Sequence, residues 1–157
     1  MQTALGAGIR RVVAIRMAPG EDVLEGLKSA CAEHGIGHGM ILGGIGSLNG
    51  ARFFDPIPLP EKKAGYGYGD AIELTGPIEL ISLSGMICEG EDGQTMFHIH
   101  AGLSGQDGSG YGGHLIEGNK VLLTVDVIVA ELGGVRMGRR FDEDLDVFIF
   151  NPQTIMK

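Results

Sequence analysis

His98 and His100 stand two apart, and His114 follows within the same glycine-rich stretch that runs from Thr95 to Ile116. Side chains on an extended strand alternate between faces, so the first two imidazoles point one way and Phe97, Ile99, Ala101 and Leu103 the other. Ser104 to Ser109, centred on Gln106-Asp107-Gly108, has the composition of a hairpin turn. A turn centred on Asp107 places His114 opposite His100 on the same face. Paired side chains there have Cβ atoms about 5 Å apart. Register decides the matter, because a slip of one residue sends His114 to the other face.

Three converging imidazoles suit a divalent metal ion. Neutral imidazole binds Zn, Fe, Ni or Cu through one nitrogen, and three such ligands leave a position open for water or a ligand. Zinc is the first expectation. Gly112 and Gly113 are expected to keep the second strand low and leave room above the patch. The same histidines also suit hydrogen bonding at a subunit interface, with no metal at all.

The elements that must position them belong to a chain of single-domain size, 157 residues, here taken as one domain over 1–157. Its 43% hydrophobic and 20% charged residues are ordinary for a globular protein, and no apolar run approaches the ~20 residues that span a bilayer. Met1 to Arg11 lack the pattern of a signal peptide, and a cytoplasmic protein is expected. The net charge of −8 opposes broad electrostatic attraction to nucleic acid. Arg136, Arg139 and Arg140 are followed by Asp142, Glu143, Asp144 and Asp146, which reads as a solvated, self-compensating strand and loop. Two cysteines, Cys31 and Cys88, are expected to be buried thiols rather than a bridge. The 28 glycines suggest many short strands and close backbone approaches.

Arg10 to Met17 reads as a strand. A helix follows, opened by Glu21-Asp22, striped by Val23, Leu24, Leu27, Ala30 and Cys31, and stopped at Gly35. His34 in its last turn is expected to act as a favourable charge near the C-terminus. Gly39 to Leu48 lacks the Lys-Ser/Thr ending of a phosphate loop, and is expected to be a bent strand whose glycines admit a neighbouring backbone or a ligand. Ala51 to Asp55 is a short strand. Pro56 to Asp70 is a loop whose Tyr66 and Tyr68 are placed to cover a pocket. Strands then follow at 71–74, 78–87, 95–103, 112–116, 120–132, 135–140 and 146–150. One early helix and a long antiparallel meander make an α+β fold, the helix covering one face of the sheet.

Asp126 and Glu79 lie inside apolar strands, where a carboxylate costs free energy unless it is paired. Each is a candidate to orient a metal-bound imidazole or to act as a general base, and each equally suits an exposed sheet face.

Taken together, Pro19-Gly20-Glu21-Asp22, Gly43-Gly44-Ile45-Gly46, Gly76-Pro77-Ile78-Glu79-Leu80-Ile81-Ser82-Leu83-Ser84-Gly85, His98-Ile99-His100 and Gly112-Gly113-His114-Leu115 resemble the PPC domain, the family conserved in plants and prokaryotes. The resemblance covers roughly residues 9 to 140 and is to the stand-alone prokaryotic type. It implies one helix against a mostly antiparallel sheet, a homotrimer, and a metal site matching His98, His100 and His114, with Asp126 at a position often acidic in the family. Plant members join this domain to AT-hooks that bind DNA, and bacterial relatives are often called DNA-binding. No Arg-Gly-Arg-Pro hook is present here, and Pro77-Ile78 stand where the plant motif has Arg-Phe. The leading expectation is therefore a trimeric protein with a three-histidine metal site near each subunit interface. That site would take a small carboxylate or carbonyl ligand, lined by Gly44, Gly46, Gly113 and Arg52. A DNA-associated regulator and a trimeric scaffold are the alternatives.

Overall fold

Residues 1–155 are described by the structure, a computed structural model. Strand β1 (Gly8–Met17) leads into helix α1 (Val23–Glu33), whose start is fixed by Asp22. One Asp22 oxygen accepts from the backbone N–H groups of Leu24 and Glu25 at 3.1 and 3.3 Å, and the other from Gly118 at 2.8 Å. A single carboxylate thus caps the helix and ties it to the turn beyond the histidine hairpin. Val23, Leu27 and Cys31 form the buried stripe. Gly35 takes a left-handed φ of +62°, and the Ile36 N–H reaches back to the Cys31 carbonyl at 2.8 Å, which ends the helix as its sequence suggests. His34 is the C-cap residue itself rather than part of the last turn, and its carbonyl accepts from Arg11 Nη2 at 2.6 Å.

Two strands are longer than expected. β2 (Gly39–Phe54) joins the two strands anticipated over 39–55, and β5 (Ile72–Glu89) joins those at 71–74 and 78–87. The two pair antiparallel from Gly39↔Ile87 to Phe53↔Ile72, with one irregularity between Leu48 and Gly50. Partner backbones on both sides carry each strand through glycines that, taken alone, read as breaks. The segment expected as loop, Pro56 to Asp70, contains a small hairpin of β3 (Pro56–Pro58) and β4 (Tyr66–Tyr68).

The remaining strands are β6 (Thr95–Ser104), β7 (Gly110–Leu115), β8 (Val121–Gly133), β9 (Val135–Asp142) and β10 (Val147–Thr154). Their order in the sheet is β1-β8-β2-β7-β6-β5-β9-β10, and β2 also pairs with β5. Strands β2, β7, β6 and β5 therefore close on one another, which corrects the expectation of a simple meander. Pairing is antiparallel throughout, apart from one parallel bridge, Glu89↔Gly138. The mostly antiparallel sheet with one helix is an α+β fold. Leu48, Phe53, Leu80, Leu83, Ile99, Leu103 and Val125 fill the interior together with the helix stripe. Among the described residues no helix is long and apolar enough to cross a membrane.

Candidate metal centre

The hairpin β6–β7 has the register that the histidine spacing requires. His100 pairs with His114 and Ala101 with Gly113, down to Ser104 with Gly110. Its five-residue turn is closed by the Gly105 N–H on the Ser109 carbonyl at 2.9 Å, while Asp107 accepts from the Ser109 N–H and hydroxyl at 3.0 and 2.9 Å. Ile99, Ala101 and Leu103 are buried, so their alternates must face outward.

On that outward face the imidazoles of His98, His100 and His114 meet. Each offers a ring nitrogen, and the three lie within 4.8 Å of one another. Nε2 of His98 and Nε2 of His100 are 3.1 Å apart. Nδ1 of His114 is buried and has no hydrogen-bond partner among the described residues. Burial pushes the His98 pKa down to about 4, helped by the Arg139 guanidinium and then by His114 and His100. His114 is lowered too, first by burial, then by His100 and Arg139. A low pKa keeps the nitrogen lone pair free, which is the form that binds a metal.

The strand carrying His114 is held from behind. Phe54 of β2 pairs with His114. A Cβ on Gly113 would lie 2.5 Å from Asp55 Oδ1 and 2.6 Å from the Phe54 carbonyl. The expected role of Gly113 in leaving room above the patch is thus corrected, because its bare backbone is filled by the neighbouring strand. Asn119, fully buried, locks the turn after β7. Its Oδ1 accepts from the Arg52 N–H at 2.8 Å, and its Nδ2 donates to the carbonyls of Arg52 and Ile116 at 3.0 and 2.5 Å.

Open space lies on the other side. A pocket of about 660 Å³ runs from His98 and His114 to Tyr68, Met86, Arg139 and the aromatic side chains of β9 and β10. The Tyr68 ring lies 5.3 Å from that of His114, so Tyr68 does cover a pocket, while Tyr66 stands 64% exposed. Lys62 pairs with Asp146 at 2.8 Å and Lys63 with Asp144, which joins the Tyr68 segment to the β9–β10 turn.

The other sequence candidates sit elsewhere. Gly44 and Gly46 are points of close approach: a Cβ on Gly44 would lie 2.9 Å from Leu83 Cβ, and one on Gly46 2.7 Å from Val125 Cα. Arg52 Nε donates to Glu73 at 2.9 Å and Nη1 to the Glu117 carbonyl at 3.2 Å, so its charge is engaged away from the imidazoles. Asp126 is exposed on β8, opposite Ile45 of β2 and Arg16 of β1. Glu79 is exposed on β5, opposite Ser47 and Ser104. Neither carboxylate belongs to the histidine cluster.

Arg139 was not among the sequence candidates. Arg140 pairs with Asp142 at 3.8 Å, as a self-compensating strand should, while Arg136 finds its partner outside the segment, in Glu89 of β5 at 2.6 Å. Arg139 departs from that pattern and turns into the pocket. Period-two phase carried the signal, because Val135 and Met137 are buried and residue 139 follows in step.

Residues 5–133 match the model of the Plants and Prokaryotes Conserved (PCC) domain, the PPC family of the motifs above. The chain belongs to the PCC-domain family. Among solved structures, this PCC-domain protein is similar to the metal-containing protein AF0104 from Archaeoglobus fulgidus, with 29% identity, a TM-score of 0.79, and coverage of 96% of this chain and 99% of that one. It is also similar to a plant- and prokaryote-conserved protein of Pyrococcus horikoshii, with 31% identity, a TM-score of 0.77, and coverage of 95% and 97%. A curated relative, the bifunctional protein GlmU of a Synechococcus strain, is 28% identical over 138 residues, 88% of this chain. The PCC-domain chain spans about a fifth of that relative's length, 20%.

Proposed function

We propose that this PCC-domain protein is a homotrimer in which His98, His100 and His114 hold one divalent transition-metal ion per chain, zinc first, for binding a small carboxylate or carbonyl ligand. The observation that carries this is the set of three ring nitrogens within 4.8 Å on one face of a single hairpin. Two zinc–nitrogen bonds of about 2.0–2.1 Å at a tetrahedral angle hold their nitrogens roughly 3.3 Å apart. His98 and His100 already stand 3.1 Å apart, and His114 Nδ1 is buried without a hydrogen-bond partner among the described residues, in keeping with a ligand role. The donors are all nitrogen, which suits Zn, Fe, Ni or Cu better than Mg or Ca. A metal-containing relative of the same fold supports the assignment.

When bound, such an ion supplies Lewis acidity at its open position. The chain's own part is positional. The hairpin register aims two rings, β2 and Asn119 fix the third, and Tyr68 with the β9–β10 aromatic side chains limits water at the mouth.

Assembly is supported by the outer face of β1, β8 and β2. Leu42, Ile45 and Ile128 are 48%, 60% and 38% exposed there and line a groove of about 720 Å³ together with Ala14, Arg16 and Asp126. Apolar patches of this kind mark contact surfaces. The number three comes from the family resemblance.

Metal analysis of the purified protein is the test. The expected result is near one equivalent of zinc or another transition metal per chain, absent from a His98→Ala/His100→Ala double variant that still folds. Wild-type protein that stays empty at saturating zinc overturns the assignment. Salt-dependent DNA binding at physiological ionic strength, unchanged by metal removal, would move the function to DNA association.

A further inference from the structure

Arg139 is a cation without an anion. Among the described residues it makes no ion pair, and its Nε is buried with no hydrogen-bond partner. One contact is made, from Nη2 to the Phe148 carbonyl, which holds the guanidinium against β10 and leaves the rest of its N–H fork unused. The carboxylate that shares its pocket, Asp146, is already taken by Lys62 at 2.8 Å. Around it stand imidazoles, which contribute no negative charge, and the side chains of Met86, Phe141, Phe148 and Phe150. An unpaired guanidinium in such surroundings is costly unless something anionic completes it.

Resting on the assignment of the three histidines as a metal centre, we propose that Arg139 determines its ligand class: monocarboxylates with an apolar body, bound with carboxylate on the guanidinium and the apolar body against the β9–β10 phenylalanines. Arginine presents a planar fork of N–H donors that matches a carboxylate and forms charge-assisted hydrogen bonds about twice as strong as neutral ones. His98 and His114 line the same pocket, so a carboxylate on Arg139 lies beside the metal-binding nitrogens. Phe141 and Phe148 pack edge to face with centroids 5.4 Å apart, a wall suited to an aromatic or branched aliphatic body and not to a second charge. The strand contact with Phe148 does not account for Arg139 alone, since a lysine or glutamine would serve it without burying an unpaired Nε.

Calorimetric titration with benzoate, and with benzamide as its uncharged analogue, tests this on wild-type, R139Q and R139K proteins, each zinc-loaded and metal-free. Cobalt-loaded protein adds visible bands that shift when a ligand approaches the ion. Wild-type protein is expected to bind benzoate at least tenfold more tightly than benzamide. R139Q should lose at least tenfold in benzoate affinity with zinc content unchanged, and R139K should recover part of that loss. Equal benzoate affinity in wild-type and R139Q, equal affinity for benzoate and benzamide, or no benzoate binding by wild-type protein overturns the inference. If R139Q fails to fold, the ratio of benzoate to benzamide affinity in wild-type protein decides. Arg139-dependent benzoate binding by a protein that takes up no zinc would keep Arg139 as the carboxylate-binding residue of the pocket and remove the metal assignment on which the rest depends. Zinc uptake with Arg139-independent benzoate binding would do the reverse.

Discussion

Two outward-facing patches of one sheet differ in what they ask of their surroundings. On β6 and β7 the outward positions carry His98, His100 and His114, which are useful only if they converge, and a 660 Å³ pocket stands beside them. On β1, β8 and β2 the outward positions carry Ala14, Leu42, Ile45 and Ile128, which need only be removed from water, around the opposed charges Arg16 and Asp126. The first patch tolerates no change of register, while the second tolerates almost any apolar side chain. The proposed site and the proposed assembly surface are thus specified by different physics within one sheet.

The strongest way to break this division is a charge on the apolar face. If the proposed trimer and metal centre hold, Ile45→Arg is expected to reduce the solution mass from that of a trimer to that of a monomer, seen by light scattering, while zinc content stays near one per chain. Loss of zinc in the same variant would show that the two patches are one site completed across subunits. A smaller effect is expected from Asn119→Ala, which leaves the Arg52 N–H and the Ile116 carbonyl without their partner behind β7, while the Arg52 carbonyl keeps the Ile116 N–H at 3.4 Å. Each buried unsatisfied group costs about 1–3 kcal/mol, so for two such groups a loss of roughly 2–6 kcal/mol in denaturant unfolding is expected, together with weaker zinc retention as His114 loosens. A loss in stability with undiminished zinc affinity would show that the turn does not position the ligand.

Between pH 7 and pH 5 acid should act mainly on the histidine patch, since the lowered carboxylates Asp107 and Glu117 take up protons only in stronger acid. The folded His98 pKa of about 4 lies below the ordinary 6.5, so as pH falls through 6.5 the unfolded chain takes up a proton that the folded chain refuses. Its share of stability is therefore complete above pH 6.5 and is lost as pH falls toward 4. Metal-free wild-type protein should show a lower urea midpoint at pH 5 than at pH 7, and His98→Phe a shallower slope. Identical slopes would remove His98 from the patch's acid response. The least visible effect concerns the thiols. Burial pushes Cys31 and Cys88 up to about 11, so both should resist a thiol reagent at pH 8 until urea is added. Fast reaction of native protein would contradict their burial.

The hairpin was legible because its signal is local: two histidines in alternation, a turn centred on Asp107, and a partner seven residues beyond it. The helix was legible for the same reason, through its stripe, its Asp22 cap and its Gly35 stop. What escaped depends on long-range pairing. Gly44, Gly46 and Gly113 look alike whether a ligand or a backbone approaches, and only the positions of Leu83, Val125 and Asp55 show that protein atoms do. β2 and β5 looked divided because their breaks lie at glycines and Pro77; the two breaks fall opposite each other at one irregularity, and the pairing of the strands resumes on either side of it. Arg139 was lost among charges that compensate one another in sequence, and the hairpin of β9 and β10 separates it from them.

The ion pairs Lys62–Asp146 and Lys63–Asp144 have a consequence for access to the pocket. Both are exposed enough for dissolved salt to screen them, with a Debye length of about 8 Å at physiological ionic strength. Beyond them the tyrosine strand is held by its three-residue pairing with β3 and by the Tyr68 ring against Phe54 and His114. Rising salt should therefore quicken the entry and exit of a guest through this latch, leaving the grip of the nitrogen donors behind it unaltered.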